Sequence, residues 1–204
     1  MGFYDTHILP QLIALAMKQL DLAAYRARIV PAARGRVLDV GIGSGLNLPF
    51  YGPTVEQIFG LDPSSKLLQM ARRAGDASGH DLRLIEGSAE AIPLEAKSID
   101  TAVVTFTLCS VKNLLAAMSE IRRVLKPGGE LLFVEHGLAP DQKVAAWQRR
   151  LTPLWKRFAG GCHLDRDVPS SLSKSGFEIV KMQRGYMRGP RVLTFISEGS
   201  AHPT

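Results

Sequence analysis

The sequence predicts an α/β fold built on a parallel sheet with helices on both faces. Three observations carry that expectation. Val37, Leu38 and Val40 read as a short buried strand that runs into a turn with glycine at every second position, Gly41-Ile42-Gly43-Ser44-Gly45. Ile99 to Phe106 is a run of β-branched and apolar residues, the pattern of a parallel strand covered on both sides. The 204 residues are enough for one α/β domain with a substantial core.

The first segment, Ile8 to Leu20, has apolar residues at helical spacing. A second helical piece follows, with Leu22, Tyr25 and Ile29 on one face, and Pro31 stops it. Both precede the first strand, so residues 1–34 are expected to form a helical cap over a core of residues 35–204. No repeat, low-complexity run or linker interrupts the chain, and residues 1–204 read as one domain. Tyr4 and His7 are either surface residues at a chain end or, if the cap folds over a ligand, part of the substrate pocket.

The glycine turn lets a ligand approach backbone, because glycine accepts positive φ and has no Cβ in the way. Leu46 onward is expected to open a helix whose free N–H groups point at the same spot. The spacing G-x-G-x-G differs from the dinucleotide fingerprint G-x-G-x-x-G. Asp39, two residues before the first glycine, would repel a pyrophosphate and suits a cation instead.

Val55 to Leu61 read as the next strand, ending in Asp62-Pro63-Ser64. Asp62 lies about 20 residues past the glycines, where an acidic strand end accepts hydrogen bonds from a ribose diol. It is also a possible N-cap for the helix over Ser65–Ala74, a role Ser64 can take instead. Leu82, Leu84 and Ile85 form a short strand leading to Glu86-Gly87-Ser88-Ala89-Glu90-Ala91-Ile92-Pro93. After the central strand come Thr107-Leu108-Cys109-Ser110-Val111 and a helix capped by Asn113, with Leu114, Met118, Ile121 and Leu125 on one face. Lys126-Pro127-Gly128-Gly129 is expected to end that helix, and Glu130 to His136 to form the following strand.

Val144 to Phe158 read as a helix with Trp147, Leu151, Leu154, Trp155 and Phe158 on one stripe, and Arg149, Arg150, Lys156 and Arg157 mostly off it. The ordinary expectation packs that stripe on the sheet. The alternative is an interfacial helix resting on anionic lipid. Gly160-Gly161-Cys162-His163 breaks the helix, and Pro169 to Lys174 form a short one. Phe177 to Met182 and Val192 to Ser197 are expected to complete the sheet.

These motifs carry a resemblance. The D-V-G-x-G-S-G pattern of Asp39 to Gly45 resembles motif I of the class I S-adenosylmethionine-dependent methyltransferases. Gly87 to Pro93 resembles their adenine loop, usually written G-D-A-E-x-L-P, with Ser88 in place of the acidic residue. The R-V-L-K-P-G-G-x-L-L segment is similar to the same superfamily. Thr105 to Lys112, Phe133 to Gly137 and Trp147 to Leu164 resemble the narrower group that includes the animal microsomal alkyl thiol methyltransferases and their bacterial relatives.

The resemblance implies a Rossmann-like sheet of seven strands, parallel except for one. It implies S-adenosyl-L-methionine as cofactor and S-adenosyl-L-homocysteine as product. The cofactor is expected against Asp39, Gly41, Ile42, Gly43, Gly45, Asn47, Asp62, Pro63, Ser88, Ala89, Glu90, Thr105, Phe106 and Leu108. A small-molecule nucleophile, most simply a thiol, is the expected acceptor, and a phospholipid amine is the alternative. A noncatalytic cofactor-binding protein is the reading from another class.

His136, at the end of its strand, is the first candidate for a base or substrate orienter, and is equally a histidine held in a strand-end network. Cys109 either lines the substrate pocket or is a small buried hydrophobe. His163, on a glycine-rich loop, is a rim candidate. Cys109, His136, Cys162 and His163 match no standard zinc spacing, so no metal is expected. Two cysteines form no disulfide framework, and the N-terminus lacks the basic and apolar regions of a signal peptide, which suggests a cytoplasmic protein. The net charge of +6 favours anionic surfaces, including peripheral contact with an anionic membrane. With no Asn-Pro-Pro-aromatic motif after the central strand, nucleic acid is not an expected partner.

Overall fold

The computed structural model describes residues 9–204. Tyr4 and His7 lie outside the described residues. Helices α1 (Leu9–Ala16) and α2 (Leu20–Ile29) lead into β1 (Gly35–Val40). Then come β2 (Val55–Asp62), α3 (Ser65–Ser78), β3 (Leu82–Glu86), β4 (Ile99–Thr105), α4 (Leu114–Val124) and β5 (Leu125–His136). Helices α5 (Gln142–Phe158) and α6 (Val168–Lys174) precede β6 (Phe177–Tyr186) and β7 (Phe195–Pro203).

The strands form one seven-stranded sheet in the order β3-β2-β1-β4-β5-β7-β6. All neighbours pair in parallel except β7, which is antiparallel to both β5 and β6. Strand order reverses between β1 and β4, and the crevice above their carboxyl ends is where open α/β sheets bind ligands.

Alternation along each strand explains why both faces are covered. Leu38, Phe59, Val104 and Phe133 belong to one apolar cluster, with Met118 and Ile121 of α4. Their neighbours Val37, Ile58, Val103 and Leu132 belong to a second, with Leu68 and Ala71 of α3. Successive residues point to opposite faces, so a fully buried strand must be apolar at nearly every position.

Side chains close the open helix starts. Ser64 Oγ accepts from Leu67 N at 3.3 Å, Asn113 Oδ1 from Ala116 N at 3.1 Å, and Asp141 Oδ1 from Lys143 N at 3.0 Å. Ser64, and not Asp62, is therefore the cap of α3.

Four local expectations are corrected. No α-helix follows the glycine turn. Leu48–Phe50 make only a 3-10 turn, and Gly52-Pro53 just beyond leaves no room to propagate it. The segment Lys126-Pro127-Gly128-Gly129 lies inside β5, where the pairing slips from Ile99↔Leu125 to Thr101↔Glu130. The last strand runs to Pro203 instead of stopping at Ser197. It is held between β5 and β6, and a Cβ at Gly199 would sit 2.0 Å from the Lys181 carbonyl oxygen, a separation only glycine permits.

The fourth correction concerns α5. Its apolar stripe is divided: Leu151 and Trp155 are half-buried, with Trp155 Nε1 wholly covered, while the other three residues face outward. Trp147, Leu154 and Phe158 are 55%, 57% and 66% exposed, and the fully buried face is Ala145, Gln148 and Thr152. Gln148 explains the arrangement. Its Oε1 accepts from Ala139 N at 2.9 Å and its Nε2 donates to Gly137 O at 3.1 Å, so the loop after β5 takes its hydrogen bonds from this face. Among the described residues no helix is long and apolar enough to cross a membrane.

Candidate active site

The glycine turn leaves β1 with Gly41, Gly43 and Gly45 at φ of +71°, +58° and +82°. Gly41 and Gly45 are needed for packing: an added Cβ would strike Thr107 Oγ1 at 2.2 Å or Leu48 Cδ1 at 2.9 Å. Gly43 is different. A Cβ there would meet only the Gly41 carbonyl at 3.8 Å, so its backbone faces open space. The Ile42 side chain is buried in the core against Gly60, which leaves only its backbone to offer a ligand.

Asp39 lies beneath the turn, fully buried. Asn47 Nδ2 donates to its carboxylate at 3.0 and 3.1 Å, and Tyr51 OH donates at 2.9 Å. Burial pushes its pKa up to about 6 against these donors and against the nearby charge of Arg26. Asn47 also exchanges hydrogen bonds with Thr105 Oγ1, tying β1 to β4. Arg26 comes down from α2, 3% exposed, with its guanidinium 5.4 Å above the Phe106 ring. Its Nη1 donates to Met17 O, while its Nε is buried with no partner among the described residues.

At the end of β2, Asp62 Oδ2 accepts from Gly43 N at 3.0 Å and Oδ1 from Ser64 N at 2.8 Å. The carboxylate thus couples the glycine turn to the start of α3 and keeps lone pairs for further donors. Burial raises its pKa. Pro63 and Ser88 are exposed, and Ala89 is buried. Ser88 bonds to Glu90, whose other oxygen accepts from Lys112 N and Asn113 N at 2.9 and 3.1 Å. Glu90 thereby anchors the loop to the start of α4. The Leu108 side chain points into the core below α4, so it offers no side-chain contact to a ligand above the sheet.

Chain direction changes sharply after β4. Phe106 has φ of +56°, an uncommon conformation for an aromatic residue that costs about 1–3 kcal/mol. Glu135, fully buried, holds the turn: it accepts from Thr107 N at 2.7 Å, Leu108 N at 2.9 Å and Cys109 N at 3.2 Å. Burial still raises its pKa to about 7. Arg166 donates to the carbonyls of Leu108 and Val111, and His163 N donates to Cys109 O at 2.8 Å. The His163 ring stays half-buried at the rim, 3.7 Å from Asp165.

Glu135 and His136 face opposite ways, as strand alternation requires. His136 shares the sheet face of Asp39, Thr105 and Val134, since Asp39 pairs with Val103 and Thr105 with Val134. Its ring is buried. Nδ1 is 3.7 Å from Cys162 Sγ, and Nε2 has no partner among the described residues. The neighbouring Cys109 thiol and the His136 ring lower the Cys162 pKa, while Cys162 and burial raise that of Cys109. Among the described residues no cluster of side chains has the makings of a metal site.

The carboxyl end of the sheet therefore gathers two carboxylates, an open glycine backbone and a buried guanidinium with an unpartnered N–H. A ligand carrying an ammonium, a sulfonium, a carboxylate and a ribose matches that set of donors and charges. Residues 38–133 match the family model described as a methyltransferase domain. The chain is 31% identical over 156 residues to a phosphatidylethanolamine N-methyltransferase of Cereibacter sphaeroides, a match that takes in 74% of each protein. The chain belongs to the class I S-adenosylmethionine-dependent methyltransferases. This methyltransferase is also 32% identical over 151 residues to the rat thiol S-methyltransferase TMT1B, covering 72% of the chain and 62% of that relative. The chain thus spans less than two thirds of the length of its thiol methyltransferase relatives. Among solved structures, the cyclase SpnF superposes with a TM-score of 0.74 at 19% identity, over 98% of this methyltransferase and 94% of SpnF. That likeness shows the fold alone, and a cyclase on the same frame means the fold does not name the chemistry.

Three residues of this candidate site carry no local signal in the sequence. Arg26 sits on a helix whose apolar pattern was clear, with nothing to mark it as inward. Tyr51 lies in a Pro- and Gly-rich loop. Glu135 is one residue among many in a strand, and its reach to residues 107–109 is visible only in three dimensions.

Proposed function

We propose that this methyltransferase moves the methyl group of S-adenosylmethionine to the sulfur of a small-molecule thiol. The observation that carries the reading is His136, with a free Nε2 on the sheet face it shares with Asp39 and Thr105. The resemblance of the chain to thiol S-methyltransferases supports it.

The glycine turn and Asp39 would hold the methionine end of the cofactor, Arg26 its carboxylate, Asp62 the ribose diol, and the Ser88–Glu90 loop the adenine. The cofactor supplies an electrophilic methyl on a sulfonium. A free thiol has a pKa of about 8.5, so most of it is protonated at neutral pH. His136 Nε2 accepts that proton and leaves a thiolate. Attack by a thiolate on a sulfonium neutralises opposite charges, and the buried surroundings of His136 favour such a step over one that builds charge.

Incubation with methyl-labelled cofactor and a panel of thiols, amines, phenols and phospholipids tests the reading. Label is expected in a thioether, and label only in phosphatidylethanolamine would reject the thiol in favour of the amine, the acceptor named for the Cereibacter relative. His136→Gln is expected to lower turnover while cofactor affinity holds. Affinity itself is expected to rise with pH through about 6, because a cationic ligand favours the ionised form of Asp39. Calorimetry in buffers of different ionisation heat would then register proton release at pH 6.

A further inference from the structure

We propose that the exposed face of α5, with the adjoining end of α1, docks this protein on an anionic lipid bilayer. The argument begins with orientation. Trp147, Leu154 and Phe158 recur at i, i+7 and i+11 along the solvent side of the helix. On α1, Leu12 and Leu15 are 50% and 69% exposed. The turn just past α5 meets α1 where Ile13 covers Gly160, whose added Cβ would lie 2.8 Å from Ile13 Cδ1. The apolar side chains of the two helices thus form neighbouring parts of one surface, of the kind that marks an interaction site.

Charge selects the occupant. Lys143, Arg150 and Arg157 follow each other at seven-residue intervals along one flank of the stripe, all exposed, and α5 contains no acidic residue. Arg149 and Lys156 add two more exposed cations. A helix with apolar side chains on its outer face and a row of cations beside them is built to lie in an interface, with aliphatic groups among acyl chains and basic groups at lipid phosphates. The Arg150 guanidinium, 5.7 Å from the Trp147 ring, is placed for that boundary. A second copy of the chain would set five cations against five of the same sign, which disfavours a symmetric dimer through this face.

The turn that ends α5 brings Cys162 back to within 3.7 Å of His136. A bilayer under α5 therefore lies close to His136, and an apolar acceptor dissolved in it has a short path inward. That last step rests on the proposed role of His136, whereas the docking itself does not.

Flotation of the 204-residue protein with vesicles tests the proposal without any acceptor present. Mixed phosphatidylglycerol–phosphatidylcholine vesicles should carry the protein to the top of a gradient at low salt. Pure phosphatidylcholine should bind at least about tenfold more weakly, and about 0.5 M salt should weaken binding to the anionic vesicles. Tryptophan fluorescence should shift to the blue on binding, and the shift should be lost in Trp147→Phe. The double variant Trp147→Ser/Phe158→Ser should melt as the unaltered protein does yet stay at the bottom. Absence of the unaltered protein from anionic vesicles at low salt would overturn the proposal. So would a concentration-dependent dimer, abolished by the same double variant, with no flotation. Thiol methylation is measured separately, so failure of either reading leaves the other standing.

Discussion

Helices α4 and α5 look alike on paper and do opposite things. Both are amphipathic, both start at a side-chain cap, and both follow a strand of the same sheet. In α4 the apolar stripe Ala117, Met118, Ile121 and Val124 is completely buried. In α5 Trp147, Leu154 and Phe158 face out, Leu151 and Trp155 are half-buried, and the fully buried row is Ala145, Gln148 and Thr152. Periodicity announces a stripe but says nothing about which way it faces. The direction is decided by the partner surface: α4 meets apolar residues of β4 and β5, whereas α5 meets a loop whose backbone groups need Gln148.

The largest test of that contrast is a pair of truncations. Met118→Ala should cost about 2–5 kcal/mol in urea unfolding, as a buried side chain lost from a packed core. Phe158→Ala, the larger deletion, should change stability by no more than about 0.5 kcal/mol. Equal costs would mean that α5 packs its stripe after all.

A step down in size, Gln148→Ala should cost about 1–3 kcal/mol, because Ala139 N–H and Gly137 C=O lose their partners inside the protein. A polar residue on the outward side of α5, such as Arg149, should tolerate alanine in the same denaturation experiment.

The contrast extends to the two cysteines that flank these helices. Cys162, after α5, has its thiol pKa lowered by the adjacent Cys109 thiol and by His136, and Cys109, just before α4, has its own raised. A lowered thiol pKa means that the reactive thiolate is already present at neutral pH and disappears only as pH falls further. Iodoacetamide at pH 7 should therefore label Cys162 several-fold faster than Cys109. Mass spectrometry of the digested protein would show the order, and preferential labelling of Cys109 would contradict it.

The smallest effect should be the same in both helices. Asn113→Ala and Asp141→Ala each remove one cap, and each should cost about 1 kcal/mol in thermal or urea denaturation. Matching losses would place the difference between the helices in their faces and not in their ends.

Much of this molecule is readable from its residues, and the unreadable parts have a common cause. The strand leading to Gly41, the apolar strand from Ile99, the acidic strand end at Asp62 and the caps at Ser64 and Asn113 all depend on local pattern, and the structure has them. The outward stripe of α5, the inward Arg26 and the triple acceptance by Glu135 depend on residues far along the chain. The extension of β7 through Gly199, Ser200 and Ala201 is the sharpest case. Weak strand formers become strand there because two neighbours supply hydrogen bonds on both sides.

That placement of β7 also sets the order in which the protein can be made. Sequence neighbours β6 and β7 pair with each other, but β7 alone connects β6 to the rest of the sheet, through β5. Until residues 195–203 have left the ribosome, the backbone edge of β5 lacks its native partner, with Leu131 and Phe133 on that strand. Such an edge is a template for strands of other chains. The nascent protein thus spends the synthesis of α5, α6 and β6 with the side of its sheet open, and its yield in a cell should depend on chaperone supply during that interval more than on the stability of the finished fold.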